Sequence, residues 1–222
     1  MRRINKVDNR IATEYHRRLA QGEMAAEYSK DKKYYHDVLH NLLFCQDGLC
    51  AYTEKRIIAG EEIEEIANAF AGGRNTMEKP EISVNIDHFD SDLKDKQGWD
   101  WNNLFAVDPR VNMEVKRVME PIARTRFDFE EYMFLKPDSE SYSPFKFLEY
   151  DSKEHIFFPS SEIDDDVAEK VDIVLDFLGI NYGTVKRERG QYLDDQILLN
   201  HQPDQYLTAY QMMMQNQKNP KP

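Results

Sequence analysis

Between residues 85 and 112 the chain reads NIDHFDSDLKDKQGWDWNNLFAVDPRVN, and this stretch restricts the possible folds more than any other. The alternation in ISVNI (82–86) predicts a strand running straight into Asp87-His88. Residues 89–100 are polar and read as a loop, followed by Asn102-Asn103-Leu104, a turn, and a helix predicted over 111–124 with Pro121 as an interruption near its end. Neighbours on a strand point to opposite faces. Asp87 and His88 can therefore serve one site only where the strand ends or bends, and the chain turns polar at that point.

Helical periodicity dominates the flanks. Ile4, Val7, Ile11 and Tyr15 recur at steps of three and four, as do Tyr35, Val38, Leu39, Leu42 and Leu43. Gln46-Asp47-Gly48 marks a turn, and GEEIEEIANAF (60–70) a short acidic-faced helix closed by Ala71-Gly72-Gly73. FKFLEY (145–150) and HIFF (155–158) predict paired strands, and DVAEKVDIVLDFLGI (166–180) an amphipathic helix started by Asp164-Asp165. The expected class is α+β. We divide the chain into an N-terminal helical region (1–44), a core (45–125), a C-terminal α/β extension (126–213) and a disordered tail (214–222).

Composition sets the limits. The 222 residues suffice for one hydrophobic core with additions, and 41% hydrophobic content argues for a folded chain. No apolar run approaches the roughly 20 residues that span a bilayer. The basic start MRRINK is not followed by an apolar segment, so no secretory signal is expected. With only Cys45 and Cys50, a reduced, cytoplasmic protein is the expectation. The formal net charge of −12 is unusual for a chain that holds nucleic acid alone, because phosphate neutralisation supplies much of that affinity. A chain of this charge that acted on nucleic acid would need a local basic patch or a second subunit to do the holding.

Phosphodiester hydrolysis needs a base to activate water, a divalent cation to stabilise charge on phosphate, and a group that orients the base. A histidine such as His88 can be the base. Asp87 offers the hard oxygen that Mg²⁺ prefers. Each residue alone says little: an isolated Asp-His pair is more often structural, and Asn102-Asn103 alone would be a turn or a cap.

Together, Asp-His, then Asn-Leu, then an Asn nine residues after Asn103 resemble the ββα-metal, or HNH, nuclease motif. LCAYTEKRI (49–57) resembles the Cys-x-Tyr-Cys-Glu segment upstream of the core in HNH nucleases of Septu-type and retron-associated anti-phage systems, and 170–193 resembles their later helix. The resemblance covers roughly residues 40–195. It implies a ββα-metal core within a mainly helical domain carrying a small additional β-hairpin. It implies Asp87 and Asn112 as ligands of Mg²⁺ or Mn²⁺, His88 as general base, and Asn103 as the residue that holds the base's loop through backbone hydrogen bonds. Glu54 takes a structural or supporting role. Lys116 stands where some HNH enzymes place a third metal ligand. Many relatives carry a structural zinc; the matching positions here are Cys50, Thr53, Asp108 and Val111, so we expect no zinc, with Val111, Val107 and Leu104 filling the space.

Lys116, Lys186, Arg187 and Arg189 are candidate phosphate contacts, although the 186–189 run equally suits a solvated helix face. Trp99 and Trp101 are expected to anchor the loop rather than stack on bases. His36 and His40 have helical metal spacing but nothing to complete a site, and read as helix-surface residues; His155 falls in an expected strand and has no assigned role. The resemblance implies a bacterial DNA endonuclease working with an SMC/ABC-type ATPase. Tyr206, Tyr210, Met212 and Met213 look like interface material for such a partner. A catalytically weak binding subunit and an RNA-cleaving enzyme are the alternatives.

Overall fold

The computed structural model describes residues 1–6, 35–59, 62 and 84–218. The helices expected around Val7, Ile11 and Tyr15 and over 60–70, and the first two residues of the expected 82–86 strand, lie outside the described residues. Among the described residues the fold is mixed α and β, with two separate two-stranded antiparallel sheets, of the α+β kind. No helix among the described residues is long and apolar enough to cross a membrane.

The chain forms two compact units, described separately. The hairpin unit comprises Ile4–Ala51 and Arg56–Pro109; the helical unit comprises Met1–Arg3, Tyr52–Lys55 and Arg110–Pro222. The division falls after Pro109 and not at 125.

In the hairpin unit, helix α1 (Tyr35–Cys45) buries the expected stripe of Tyr35, Val38, Leu39, Leu42 and Leu43. It stops in a left-handed turn, with Asp47 at φ 52° and Gly48 at φ 67°, and the Gly48 N–H returns to the Leu43 carbonyl at 2.8 Å. His40 is fully buried on this helix, not on its surface. Strands β1 (Asn85–His88) and β2 (Leu104–Val107) pair antiparallel, with Asp87 opposite Phe105 and His88 opposite Leu104. Every β2 residue is buried. The outer edge of β2 is satisfied by the Gln46 side chain, which accepts from Ala106 N–H (2.9 Å) and donates to the Ala106 carbonyl (2.7 Å). A buried edge would otherwise leave backbone groups unpaired.

The helical unit begins with a π-helical turn (Val111–Lys116) that runs into α2 (Arg117–Ala123), with Pro121 inside α2. Then come a 3₁₀ stretch (Phe129–Leu135), the short α3 (Pro144–Phe147), the hairpin β3 (Leu148–Asp151) and β4 (Ile156–Pro159), and helices α4 (Asp165–Phe177), α5 (Gly183–Leu198) and α6 (Leu207–Lys218). The predicted strand over 145–150 forms only from Leu148, because Pro144 favours a first helical turn. His155 lies in the β3–β4 turn at φ 52°, not in a strand. Helix α4 ends in a Schellman motif: Ile180 N–H donates to Leu175 O and Gly179 N–H to Asp176 O, both at 3.0 Å, with Gly179 at φ 64°. A Cβ there would also stand 3.1 Å from Val115 of the π turn, so both conformation and space require glycine.

Two expectations fail in α6. It continues to Lys218, so 214–218 are helical and not a disordered tail. Tyr206, Met212 and Met213 are buried in the unit's own core, where α6 covers β3; only Tyr210 is partly exposed. Tyr206, Met212 and Met213 are therefore core residues of this unit and not exposed ones.

Candidate functional site

Strand β1 ends at His88 because the chain is then taken over by one side chain. Phe89 N–H donates to the Asn103 carbonyl at 2.8 Å. The Asn103 carboxamide bonds to both backbone groups of Asp90: Oδ1 accepts from its N–H and Nδ2 donates to its carbonyl, each at 2.9 Å. A buried carboxamide thus stands in for a strand partner just past the hairpin. The loop folds on two short caps: Asp90 accepts from Asp92 N–H and Asp100 from Asn102 N–H, both at 3.0 Å. Trp99 and Trp101, each 1% exposed, anchor it in the core.

His88 is 4% exposed, and its Nε2 lies 2.9 Å from the Gly98 carbonyl on the far side of the loop. A carbonyl can only accept, so Nε2 carries the proton, and the lone pair of the neutral ring sits on Nδ1. Asp87, 6% exposed, precedes it on the strand. The hairpin unit therefore contains a buried carboxylate, an imidazole whose Nε2 is committed to the Gly98 carbonyl, and a carboxamide that fixes the loop after His88.

Lys6 was missed by sequence reasoning. Lys6 is 3% exposed, and its ammonium donates to the carbonyls of Trp101 (2.9 Å), the first residue of the 3₁₀ turn that carries Asn103, and Leu104 (2.7 Å), the residue that follows that turn. It also lies 3.8 Å from the centroid of the Phe105 ring. In the sequence Lys6 is one of several cations in MRRINK, and no local pattern separates it from a solvated one.

The remaining expected residues belong to the helical unit. Asn112 is half-buried in the π turn, a backbone form that often accompanies functional positions. Lys116 is not a phosphate contact. It is 2% exposed, and its Nζ donates to Glu120 Oε2 at 2.7 Å one helical turn on, while Arg124 takes the other Glu120 oxygen at 2.6 Å. Arg189 is fully buried, donating to the Ile180 carbonyl (2.9 Å) and the His155 carbonyl and lying over the Phe157 ring, so it too is removed from the phosphate candidates. Lys186 pairs with Glu154 at 3.1 Å and Arg187 is exposed on α5. Glu54 is 2% exposed; its side chain meets the Met1 ammonium at 3.0 Å and accepts from Thr208 N–H at 2.8 Å. Burial pushes its carboxyl up, but the ammonium and the Thr208 hydrogen bonds outweigh it and hold the group below the usual range.

Of the four positions that hold zinc in the resembled family, Cys50 and Asp108 lie in the hairpin unit, and the Cys50 sulfur accepts from Asp108 N–H at 3.4 Å. Val111 is completely buried. Burial drives the Cys45 thiol up to about 12, against an opposing pull from Lys6, so it is a poor thiolate donor. Elemental analysis of untagged protein is expected to find no stoichiometric zinc; one equivalent per chain would overturn the ligand assignment.

Among the described residues no three His, Cys, Asp or Glu side chains converge on a metal position. The donors that the resemblance assigns, the Asp87 carboxylate and the Asn112 carboxamide, belong to different units; each is a hard oxygen donor of the type that suits Mg²⁺. Comparison with models of known families gives no match, and no curated protein matches the chain.

Proposed function

We propose that this chain is a metal-dependent HNH endonuclease that hydrolyses phosphodiester bonds in DNA. The observation that carries the reading is the His88 arrangement: a histidine at a strand end, its Nε2 committed to the Gly98 carbonyl, with Asn103 tying together the loop that follows. The strand–strand–helix order of β1, β2 and the Val111–Ala123 helical segment supports it.

His88 Nδ1 takes the proton of the attacking water, as the tautomer places the lone pair there. Asn103 fixes Asp90 and hence the backbone leaving His88, so the ring is oriented before substrate arrives. The Gly98 carbonyl stabilises the imidazolium formed by that transfer. Asp87 would hold the metal, with Asn112 as the second ligand that the resemblance assigns. When bound, Mg²⁺ or Mn²⁺ would stabilise charge on the phosphate and the leaving oxygen. Glu54 is structural. The resemblance further assigns an SMC/ABC-type ATPase partner in a bacterial anti-phage complex, and the net charge of −12 suits a subunit that borrows its nucleic-acid affinity.

The test is plasmid cleavage with Mg²⁺, alone and with that partner, with an RNA substrate in parallel. Alone, the chain is expected to bind duplex DNA at physiological salt with a Kd of about 10⁻⁴ M or weaker, and the partner to raise both binding and cutting. Efficient cutting by the isolated chain would remove the need for a partner. RNA-only cutting would replace the substrate. No cutting under any condition would favour a binding subunit.

A further inference from the structure

In the helical unit, the π turn and α2 expose one continuous strip. It advances by four residues per step, from Met113-Glu114 to Arg117-Val118 to Pro121-Ile122, which keeps it on one side of the helix. Val115, Lys116 and Glu120, on the other side, are buried. Met113, Val118 and Ile122 are 58%, 58% and 52% exposed. Three large apolar side chains in one strip mark an interaction surface, unlike the scattered single exposures of an ordinary surface.

The charges on the strip decide what can cover it. It carries one acid and one base, so it is neutral on a chain of net charge −12. A nucleic-acid backbone finds no excess of cations there. Arg117 makes no ion pair among the described residues. The Glu114 carboxylate accepts a hydrogen bond from the exposed Tyr182 hydroxyl at 3.4 Å and stays open to solvent. Laid antiparallel on the strip, a second copy of the chain has a register that sets Glu114 opposite Arg117 of that copy. The same register sets Met113 opposite Val118. A two-fold axis repeats both contacts, so the acid, the base and the apolar residues are all matched at once.

We propose that this strip is the interface of a homodimer in which the two helical segments pack antiparallel about a two-fold axis. Repulsion between two acidic chains opposes association, but charges more than about 8 Å apart are largely screened at physiological salt, whereas the Glu114–Arg117 pairs are in contact. Asn112 immediately precedes Met113, so the dimer brings two copies of that candidate ligand to one assembly. Paired cutting of two strands by such a dimer rests on the nuclease reading; the interface rests on its own geometry.

Sedimentation equilibrium of the full chain over a concentration series, without metal or nucleic acid, tests the proposal. The wild-type mass is expected to rise from one chain toward two. Val118→Glu, Glu114→Arg alone and Arg117→Glu alone each place an unpaired charge or like charges in the contact, and should raise the dimer Kd about tenfold or more. Glu114→Arg combined with Arg117→Glu exchanges the two charges and should restore the wild-type Kd, which damage to the fold could not do. All three positions are exposed, so the substitutions leave the core of the unit untouched. A wild type that stays monomeric throughout, a dimer indifferent to these variants, or a double reversal as weak as the single ones overturns the proposal. A dimer that obeys the charge exchange in a chain that cuts no nucleic acid would remove the nuclease reading alone and leave the interface standing.

Discussion

Replacing His88 is expected to lower the rate of phosphodiester cleavage by about 10²–10⁴, the usual cost of losing a general base. The choice of substitution matters, because His88 is buried. His88→Ala removes the base and leaves the Gly98 carbonyl without its donor, which costs about 1–3 kcal/mol of stability. His88→Gln can place an N–H near the position of Nε2 and keep that bond, yet has no lone pair on a basic nitrogen. Both variants should lose cleavage to a similar extent, while only His88→Ala should lower the unfolding midpoint. Single-turnover cleavage with excess enzyme, beside urea unfolding of the same preparations, separates the two effects. Cleavage by a folded His88→Gln protein within a factor of about three of wild type would remove His88 from the mechanism and leave it as a loop anchor.

How much of this site could be read in advance depends on the range of each interaction. The strand end at Asp87-His88 and the loop after it follow from local alternation and turn chemistry, although β1 covers Asn85–His88 and leaves Val84 outside; the turn read after Leu104 is instead the buried strand β2, whose four apolar residues do not alternate because all of them are buried. The strand hairpin β3–β4 and helix α4 were legible for the same reason, although Pro144 moved the start of β3 by three residues. Residues decided by burial or by distant partners were misread. Lys116 and Arg189 look like surface cations in any window of sequence, yet one is paired with Glu120 and the other is spent on the Ile180 and His155 carbonyls. Lys6 lies 95 residues from one of its acceptors. The Met212 and Met213 pair reads as interface material until α6 is seen covering β3. The burial of a long polar side chain is hidden in the sequence even where its partner, as for Lys116 and Glu120, is local, because such stems pack as well as aliphatic chains do. The pairing of Glu188 had no sequence signal at all: within Lys-Arg-Glu-Arg it is one charge among four, and only the fold pairs it with Lys55, 133 residues away.

Glu54→Ala is expected to destabilise the protein by about 3–5 kcal/mol, the range for removing one partner of a buried ion pair. Three contacts meet at this residue: the Met1 ammonium at 3.0 Å, Thr208 N–H at 2.8 Å, and, through its own backbone carbonyl, Tyr206 N–H at 3.0 Å. The backbone bond survives substitution; the other two do not. What remains is a buried ammonium without its counter-charge and a buried N–H without its acceptor, each costlier than the contact it replaces. Glu54→Gln restores an acceptor for Thr208 but not the charge, so its loss should fall between wild type and Glu54→Ala. The same pair sets an acid limit. Because the folded carboxyl is held below its unfolded value, its contribution is fully present above the ordinary glutamate range near 4.3 and is lost as pH falls through the lower folded value. Urea unfolding from pH 7 down to about pH 3 should therefore show a difference between wild type and Glu54→Gln that is constant near neutrality and narrows only below about pH 4.3. A difference that shrank already between pH 7 and pH 5, or unfolding free energies for Glu54→Ala equal to wild type, would show that the ion pair does not hold this unit together.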